Sequence, residues 1–250
     1  MEKHLLFFDI DGTLVHRGDV MYPADIEAIR AARAAGHEVY VNSGRSRAAI
    51  YPFITDAVAF DGFVCGSTYI ERHGEILHRV LLSRETIKAV CDYCIARKIP
   101  VILEGEKEIY ALCGGCFHRG VDLTDEYPAV LDRTEELALT KVTFGAPIPR
   151  EDIALFSGLR IINFERYAEG ICEGYDKAFG MKLLCEKLGV PQANVAAFGD
   201  STNDIEMLRF AKKSVVMHKA PADLSDVAAY RADDDTDGIA AGIAHFGLGC

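Results

Sequence analysis

The sequence predicts an α/β protein: a parallel sheet covered by helices and interrupted by an inserted α+β unit. Three observations predict it. Strand-like and helix-like segments alternate at the start of the chain. That pattern then gives way to short strands and tight turns around one amphipathic helix. The alternation resumes and continues to the end. Alternation of this kind builds βαβ units with a parallel sheet, so the segment dividing it is an insertion, not an appended domain.

Residues 4–9 contain the apolar run Leu5-Leu6-Phe7-Phe8 and read as the first strand. Pro23 suits the first helical turn, where its missing N–H costs nothing. The helix it opens runs to Ala35, with Ile26, Ile29 and Ala32 at helical spacing and Gly36 closing it. Residues 38–41 form a strand that stops at Asn42-Ser43-Gly44-Arg45; a short helix to Tyr51 and a third strand over 57–60 follow. Residues 63–65, 69–71 and 76–80 read as short strands. Ile87, Val90, Cys91, Cys94 and Ile95 mark an amphipathic helix over 83–97. Strands are expected at 100–103, 108–112, 139–144, 160–164 and 167–172, with a helix at 150–156; 113–133 carries no readable period. After the insertion come a helix over 176–188 closed by Gly189, a strand over 195–198 ending at Gly199-Asp200, a helix over 203–210, a strand over 214–217 and a helix over 237–244. Residues 1–81 and 175–250 are thus expected to form the two halves of one core, and 82–174 the inserted unit.

Composition narrows the function. Half of the 250 residues are hydrophobic, enough for a sizeable core, and the net charge is -11 with no basic cluster. Neither nucleic acid nor an anionic membrane is an expected partner. No apolar run reaches membrane-spanning length, the N-terminus lacks the shape of a signal peptide, and nothing sets an oligomeric state. Eight cysteines are scattered through a chain that needs no staples, so they read as reduced thiols of a cytoplasmic protein. Cys91 and Cys94, with Cys113 and Cys116, have the spacing of a zinc site. The first pair falls within a helix, however, and buried or incidental thiols are the better reading.

The chemistry concentrates in four short segments at strand ends or helix starts: Asp9–Thr13, Ser43-Gly44-Arg45, Lys177 and Asp200–Asp204. In open α/β sheets, sites form at the carboxyl ends of the strands. Asp9 and Asp11, two apart, are expected to face one small volume. Two like charges there repel and are costly to desolvate. A hard cation resolves both problems, and Mg²⁺ favours a few carboxylates plus phosphate oxygens. Each segment alone has a plain reading as turn, cap or surface lysine; four together in one fold point to metal-assisted phosphate chemistry. Asp233-Asp234-Asp235 reads as a solvated acidic turn within reach of the same strand ends.

Asp9-Ile10-Asp11-Gly12-Thr13, Ser43-Gly44-Arg45, Lys177 and Gly199-Asp200-Ser201-Thr202-Asn203-Asp204, in this order, resemble the motifs of the haloacid dehalogenase-like (HAD) hydrolase superfamily. The position of the 82–174 insertion, the segment Glu206-Met207-Leu208 and the later Asp237-Gly238-Ile239 are similar to the Cof-like subfamily with a type IIB cap. The resemblance spans essentially the whole chain. It implies a Rossmann-like core with an α+β cap, and a Mg²⁺-dependent phosphomonoester hydrolase acting on a small phosphorylated metabolite, a sugar phosphate first. Asp9 is then the nucleophile that forms an aspartyl-phosphate, and Asp11 the general acid and later base. Asp9, Asp200 and the main-chain carbonyl of Asp11 bind the metal. Ser43, Gly44 and Lys177 bind the phosphoryl group, and Asn203 and Asp204 support from behind. The cap closes over the leaving group, so Arg45, Glu104, Lys107, His118, Arg119 and Arg166 are candidate substrate contacts. Three places depart from the Cof-like pattern: Cys65-Gly66-Ser67 replaces an Asn-Gly, Met217-His218-Lys219-Ala220 replaces a Met-Gly-Asn-Ala string, and Ser43 stands where Thr is commoner, which keeps the hydroxyl. The competing readings are a phosphomutase on the same scaffold and a non-catalytic metabolite-binding or phospho-switch protein.

Overall fold

The computed structural model describes residues 2–114 and 120–249. The chain forms two compact units. One comprises the residues up to Gly44, Tyr51–Leu77 and those from Asp176 on; the other comprises Arg45–Ile50 and His78–Tyr175. No helix among the described residues is long and apolar enough to cross a membrane.

The first unit is built on an eight-stranded sheet. Its strands are β1 (Leu5–Phe8), β2 (Glu38–Ser43), β3 (Gly62–Cys65), β4 (Tyr69–Arg72), β5 (Glu75–His78), β12 (Val195–Gly199), β13 (Lys213–Val216) and β14 (Tyr230–Arg231). They lie in the order β14-β13-β12-β1-β2-β3-β4-β5. β1 pairs in parallel with both β2 and β12, so the strand order reverses at β1 and leaves a crevice at its carboxyl end. Leu5, Leu6, Phe7 and Phe8 are all fully buried, as befits a central strand covered on both faces. Leu5 and Phe7 pack with Met181 and Leu184 of helix α5 (Lys177–Leu188) and Met207 and Leu208 of α6 (Ile205–Phe210). Helices α1 (Pro23–Ala34) and α7 (Gly238–His245) lie side by side, and the amide of Ala240 donates to Asp25 Oδ1 at 2.8 Å.

The strand expected at 57–60 is absent. Residues 52–57 form helix α2 (Pro52–Ala57), opened by Pro52 at a position that favours helix starts. The third parallel strand is β3, which pairs with β2 from Tyr40↔Gly62 to Ser43↔Cys65. A short apolar run does not show which of two neighbouring segments joins the sheet.

The second unit is a six-stranded sheet in the order β10-β11-β9-β6-β7-β8. Its strands are β6 (Val101–Gly105), β7 (Ile109–Leu112), β8 (Val121–Asp122), β9 (Leu139–Phe144), β10 (Leu159–Asn163) and β11 (Ala168–Cys172). Ile87, Val90, Cys91 and Cys94 of helix α3 (Arg84–Arg97) pack on its apolar face. Ser83 caps α3 by accepting from the amide of Thr86 at 3.1 Å. The helix expected at 150–156 is a set of turns with one 3₁₀ turn at Ile153–Leu155. The stretch at 113–133 contains β8 and two 3₁₀ segments, Thr124–Glu126 and Ala129–Arg133. Burial pushes the thiols of Cys91 and Cys94 up to about 12, which disfavours the thiolates that zinc requires. Cys116 lies outside the described residues.

Candidate active site

Asp9 follows β1 directly, and its amide donates to the carbonyl of Phe198 on β12 at 3.0 Å. This bond pins the first carboxylate at the strand crossover. Lys177, the first residue of α5, is buried and donates to Asp9 Oδ1 and to Asp204 Oδ1, each at 2.6 Å. Two groups seat this lysine. Asp176 caps α5 by accepting from the amides of Ala178 and Phe179, and Asn42 Nδ2 donates to the Lys177 carbonyl at 2.8 Å. Asn42 sits inside β2, where an asparagine interrupts an apolar run; that polar break is the sequence signal for it.

Asp204 closes a capping box. Its Oδ2 accepts from the amides of Asp200 and Ser201 at 3.0 and 3.1 Å, and the Ser201 side chain reciprocates. The four-residue spacing from Asp200 to Asp204 therefore acts through a 3₁₀ turn (Thr202–Asp204), not along one α-helical face. Carboxylate oxygens of Asp9, Asp200 and Asp204 all lie within 4.8 Å of one another. Two glycines allow this crowding. A Cβ on Gly12 (φ +91°) would stand 2.1 Å from Asp200 Oδ2, and one on Gly199 would stand 2.7 Å from Asp204 Cβ.

The electrostatics are those of a charge-starved site. Three carboxylates face one ammonium. Burial pushes Asp9 up to about 7, with Lys177 pulling it back. Asp200 is pushed up to about 6, first by burial and then by the Asp204 charge, with Asp11 adding to it. Burial works against the Lys177 ammonium, but Asp9 and Asp204 outweigh it and hold its pKa above the usual range. Asp200 Oδ1 is buried without a hydrogen-bond partner. An all-oxygen set with surplus negative charge and an orphaned carboxylate oxygen fits a hard divalent cation. Among the described residues this is the one such group.

The other expected residues are placed as follows. Asp11 lies beyond the end of β1 and is exposed, whereas Asp9 is buried. The period-two argument fails here because the strand stops at Phe8 and the chain turns. Asp11 still shares a cavity of about 770 Å³ with Gly12, Asp200, His16, Lys219 and Asp235. Ser43 is buried at the end of β2, with Gly44 next to it. Asn203 is exposed and accepts from Ser201 Oγ at 2.9 Å. Lys219, at the position where the motif departs, pairs with Asp235 at 2.8 Å. Asp233 and Asp234 are exposed as expected of a solvated turn, but Asp235 is buried: its carboxylate also accepts from the amide of Lys219, which ties it into the core. In the second unit, Glu104 is buried in β6, Arg45 donates to the carbonyl of Ala49, and Lys107 and Arg166 are exposed in turns. His118 and Arg119 lie outside the described residues.

A strand-order reversal at β1, with acidic groups and a buried lysine gathered at the carboxyl ends of β1 and β12, defines an α/β enzyme of phosphoryl transfer. The sequence matches the haloacid dehalogenase-like hydrolase family over residues 6–136 and 156–246, and the chain belongs to that family. It is 24% identical over 255 residues to the protein YkrA of Bacillus subtilis, covering 99% of each. It is 26% identical over 276 residues to pyridoxal phosphate phosphatase YbhA of Escherichia coli, covering 96% of this chain and 97% of that one. Among solved structures, a hypothetical protein from Geobacillus kaustophilus superposes with a TM-score of 0.85 at 25% identity, covering 98% of this chain and 99% of that one. The subclass IIB sugar phosphatase BT4131 shares the fold with a TM-score of 0.81 at 24% identity, covering 98% and 99%. The protein is an HAD-type phosphatase with a Rossmann-like core and an inserted cap of type IIB architecture.

Proposed function

We propose that the protein hydrolyses the phosphomonoester of a small metabolite, a sugar phosphate first, with Mg²⁺ and through an aspartyl-phosphate on Asp9. The observation that carries this is the buried Asp9–Lys177–Asp204 contact beside Asp200. A buried lysine that touches both carboxylates opposes the protonation that burial favours at Asp9 and aligns the carboxylate, as a nucleophile requires. An Asp9 carboxylate oxygen attacks phosphorus as the bond to the leaving oxygen breaks. Asp11 gives that oxygen its proton and then takes one from the water that attacks the aspartyl-phosphate, releasing inorganic phosphate and restoring Asp9. Ser43 and the Gly44 amide donate to the phosphoryl oxygens, while Lys177 neutralises them. Asp9, Asp200 and the Asp11 carbonyl would hold Mg²⁺, with Asp204 fixing the Asp200 loop; the ion when bound neutralises developing phosphoryl charge. Pyridoxal phosphate phosphatase and a sugar phosphatase among the similar proteins support a small phosphorylated substrate.

The test is phosphate release across a panel of phosphorylated metabolites, with Mg²⁺ and with chelator, beside Asp9→Asn. Release that needs metal and disappears in the variant is expected, with an acid-stable labelled phosphoenzyme in the wild type only. Normal turnover by Asp9→Asn would sink the mechanism.

A further inference from the structure

The catalytic scheme leaves Lys219 unused. It lies on the loop after β13, where the chain departs from the Cof-like string as Met217-His218-Lys219-Ala220. The fold fixes this loop from three sides. The Met217 amide donates to the carbonyl of Gly199, the residue before Asp200, at 3.0 Å. The Arg231 guanidinium donates to the carbonyls of Met217, His218, Ala220 and Pro221 at 3.2, 2.9, 3.2 and 2.8 Å. Asp235 accepts from the Lys219 amide through Oδ1 at 3.2 Å and pairs with Lys219 Nζ through Oδ2 at 2.8 Å. The pair is asymmetric. The Asp235 side chain is 3% exposed with both oxygens engaged, whereas the Lys219 side chain is 80% exposed. An ammonium carries three donors, and Asp235 takes one. A group that approaches this pair therefore meets N–H donors and no open carboxylate oxygen. Lys141 of the cap sheet, by contrast, is buried against Glu104 and Glu169.

Lys219 lines the cavity of about 770 Å³ that Asp11 and Asp200 also line, and every residue around it belongs to the first compact unit. The inference rests on the phosphatase reading above. There Asp11 protonates the leaving oxygen, so the leaving group begins within hydrogen-bond reach of Asp11. The cavity that Asp11 opens into is large enough for a small metabolite. Its wall includes His16 and Tyr22, with ring centroids 4.7 Å apart, on which a carbon skeleton can pack. Arg17 and Asp19, both exposed on the same wall, carry opposite charges that offset one another. Lys219 is then the cation that the cavity presents on a braced backbone, and charge-assisted hydrogen bonds from such a group select anions. We propose that Lys219 is a specificity-determining residue of the core: it binds a second anionic group, a carboxylate or a second phosphate, carried by the leaving group of the phosphomonoester.

The experiment measures kcat/KM for sugar bisphosphates, for phosphorylated sugar acids and for the matching monophosphates without a second charge. It uses wild type, Lys219→Met and Lys219→Arg at low and high NaCl, with melting temperatures recorded for each. The wild type should favour at least one doubly anionic series by about tenfold or more, and the series favoured tells phosphate from carboxylate. That ratio should fall as salt screens the exposed ammonium. Lys219→Met should reduce it to about threefold or less, through KM more than kcat, and Lys219→Arg should keep most of it. An unchanged ratio in a folded Lys219→Met protein overturns the assignment. So does a wild-type ratio that ignores salt, a readout that stands even where the Met variant melts early. A wild type that cleaves the singly charged esters as well as both doubly anionic series refutes this proposal alone. A wild type that releases phosphate from no ester refutes the phosphatase reading itself, and this proposal with it.

Discussion

Gly12→Ala is the substitution whose consequence follows most directly from the geometry. The added Cβ would lie 2.1 Å from Asp200 Oδ2 and 2.5 Å from its Cγ. A carbon–oxygen contact needs about 3 Å or more, so the Asp200 carboxylate must move by about 1 Å. The Asp200 backbone is pinned, its amide donating to Asp204 Oδ2, so the shift falls on the carboxylate itself. A displacement of that size at a catalytic group costs on the order of 100-fold in rate. The φ of +91° adds backbone strain of about 1–2 kcal/mol for a residue with a Cβ. For a chain of this size that lowers the melting temperature by roughly 2–8 °C. The assay is phosphate release from p-nitrophenyl phosphate as Mg²⁺ is titrated, with thermal unfolding alongside. Gly12→Ala should show a fall in kcat of about two orders of magnitude and need more Mg²⁺ for half-maximal rate. In an Asp200→Ala background the steric part disappears, and Gly12→Ala should then cost only the backbone strain. The two substitutions are therefore expected to be non-additive in stability. A Gly12→Ala enzyme with wild-type kcat and wild-type metal dependence would refute the reasoning.

Two more predictions concern charge. Lys177→Met leaves Asp9 and Asp204 facing one another with no counter-charge. Loss of one partner from a buried pair costs about 3–5 kcal/mol, so denaturant melts should show that loss, together with near-complete loss of turnover; a variant as stable as wild type would contradict the ion-pair geometry. At the opposite end of the sheet, burial raises the pKa of Glu38, but hydrogen bonds from Arg72, Lys3 and Tyr40 outweigh it and hold the group at about 2 against an ordinary 4.5. Because the folded value is depressed, the stabilisation is fully present above about pH 4.5 and is lost as pH falls through about 2. It amounts to roughly 2–3 kcal/mol after allowance for the exposure of Lys3 and Arg72. The unfolding free-energy gap between wild type and Glu38→Gln should shrink across that window; a gap independent of pH would show that Glu38 is not paired as described.

Much of the fold was legible because its signals are local. An apolar run, a Pro at a helix start and a Gly after a helix end act over a few residues, and β1, α1, β2, α3, α5 and β12 fell close to where those signals put them. The elements misread had weak or competing local signals. Residues 57–60 were displaced from the sheet by their neighbours at Gly62–Cys65, and 150–156 lacked the length to sustain a helix.

The site divides in the same way. That Asp9, Lys177, Asp200 and Asp204 belong together could be read from the sequence, since each sits at a strand end or helix start and the carboxyl ends of a parallel sheet share one edge. What each side chain does there was decided by the tertiary structure. Asp9 is buried while Asp11, two residues on, is exposed, because β1 stops at Phe8 and the local period no longer applies. Lys177 taken alone reads as a plain surface lysine; the fold buries it and brings it within 2.6 Å of two carboxylates, one of them 168 positions away in sequence. Asn42 shows in the sequence only as a polar break in an apolar strand, and Lys141 and Asp235 carry no sequence signal strong enough to mark the partners they meet. Their importance comes from the carbonyl, carboxylates or lysine they meet across the fold, and burial, which makes those meetings energetically decisive, is a property of the assembled chain and not of any segment of it.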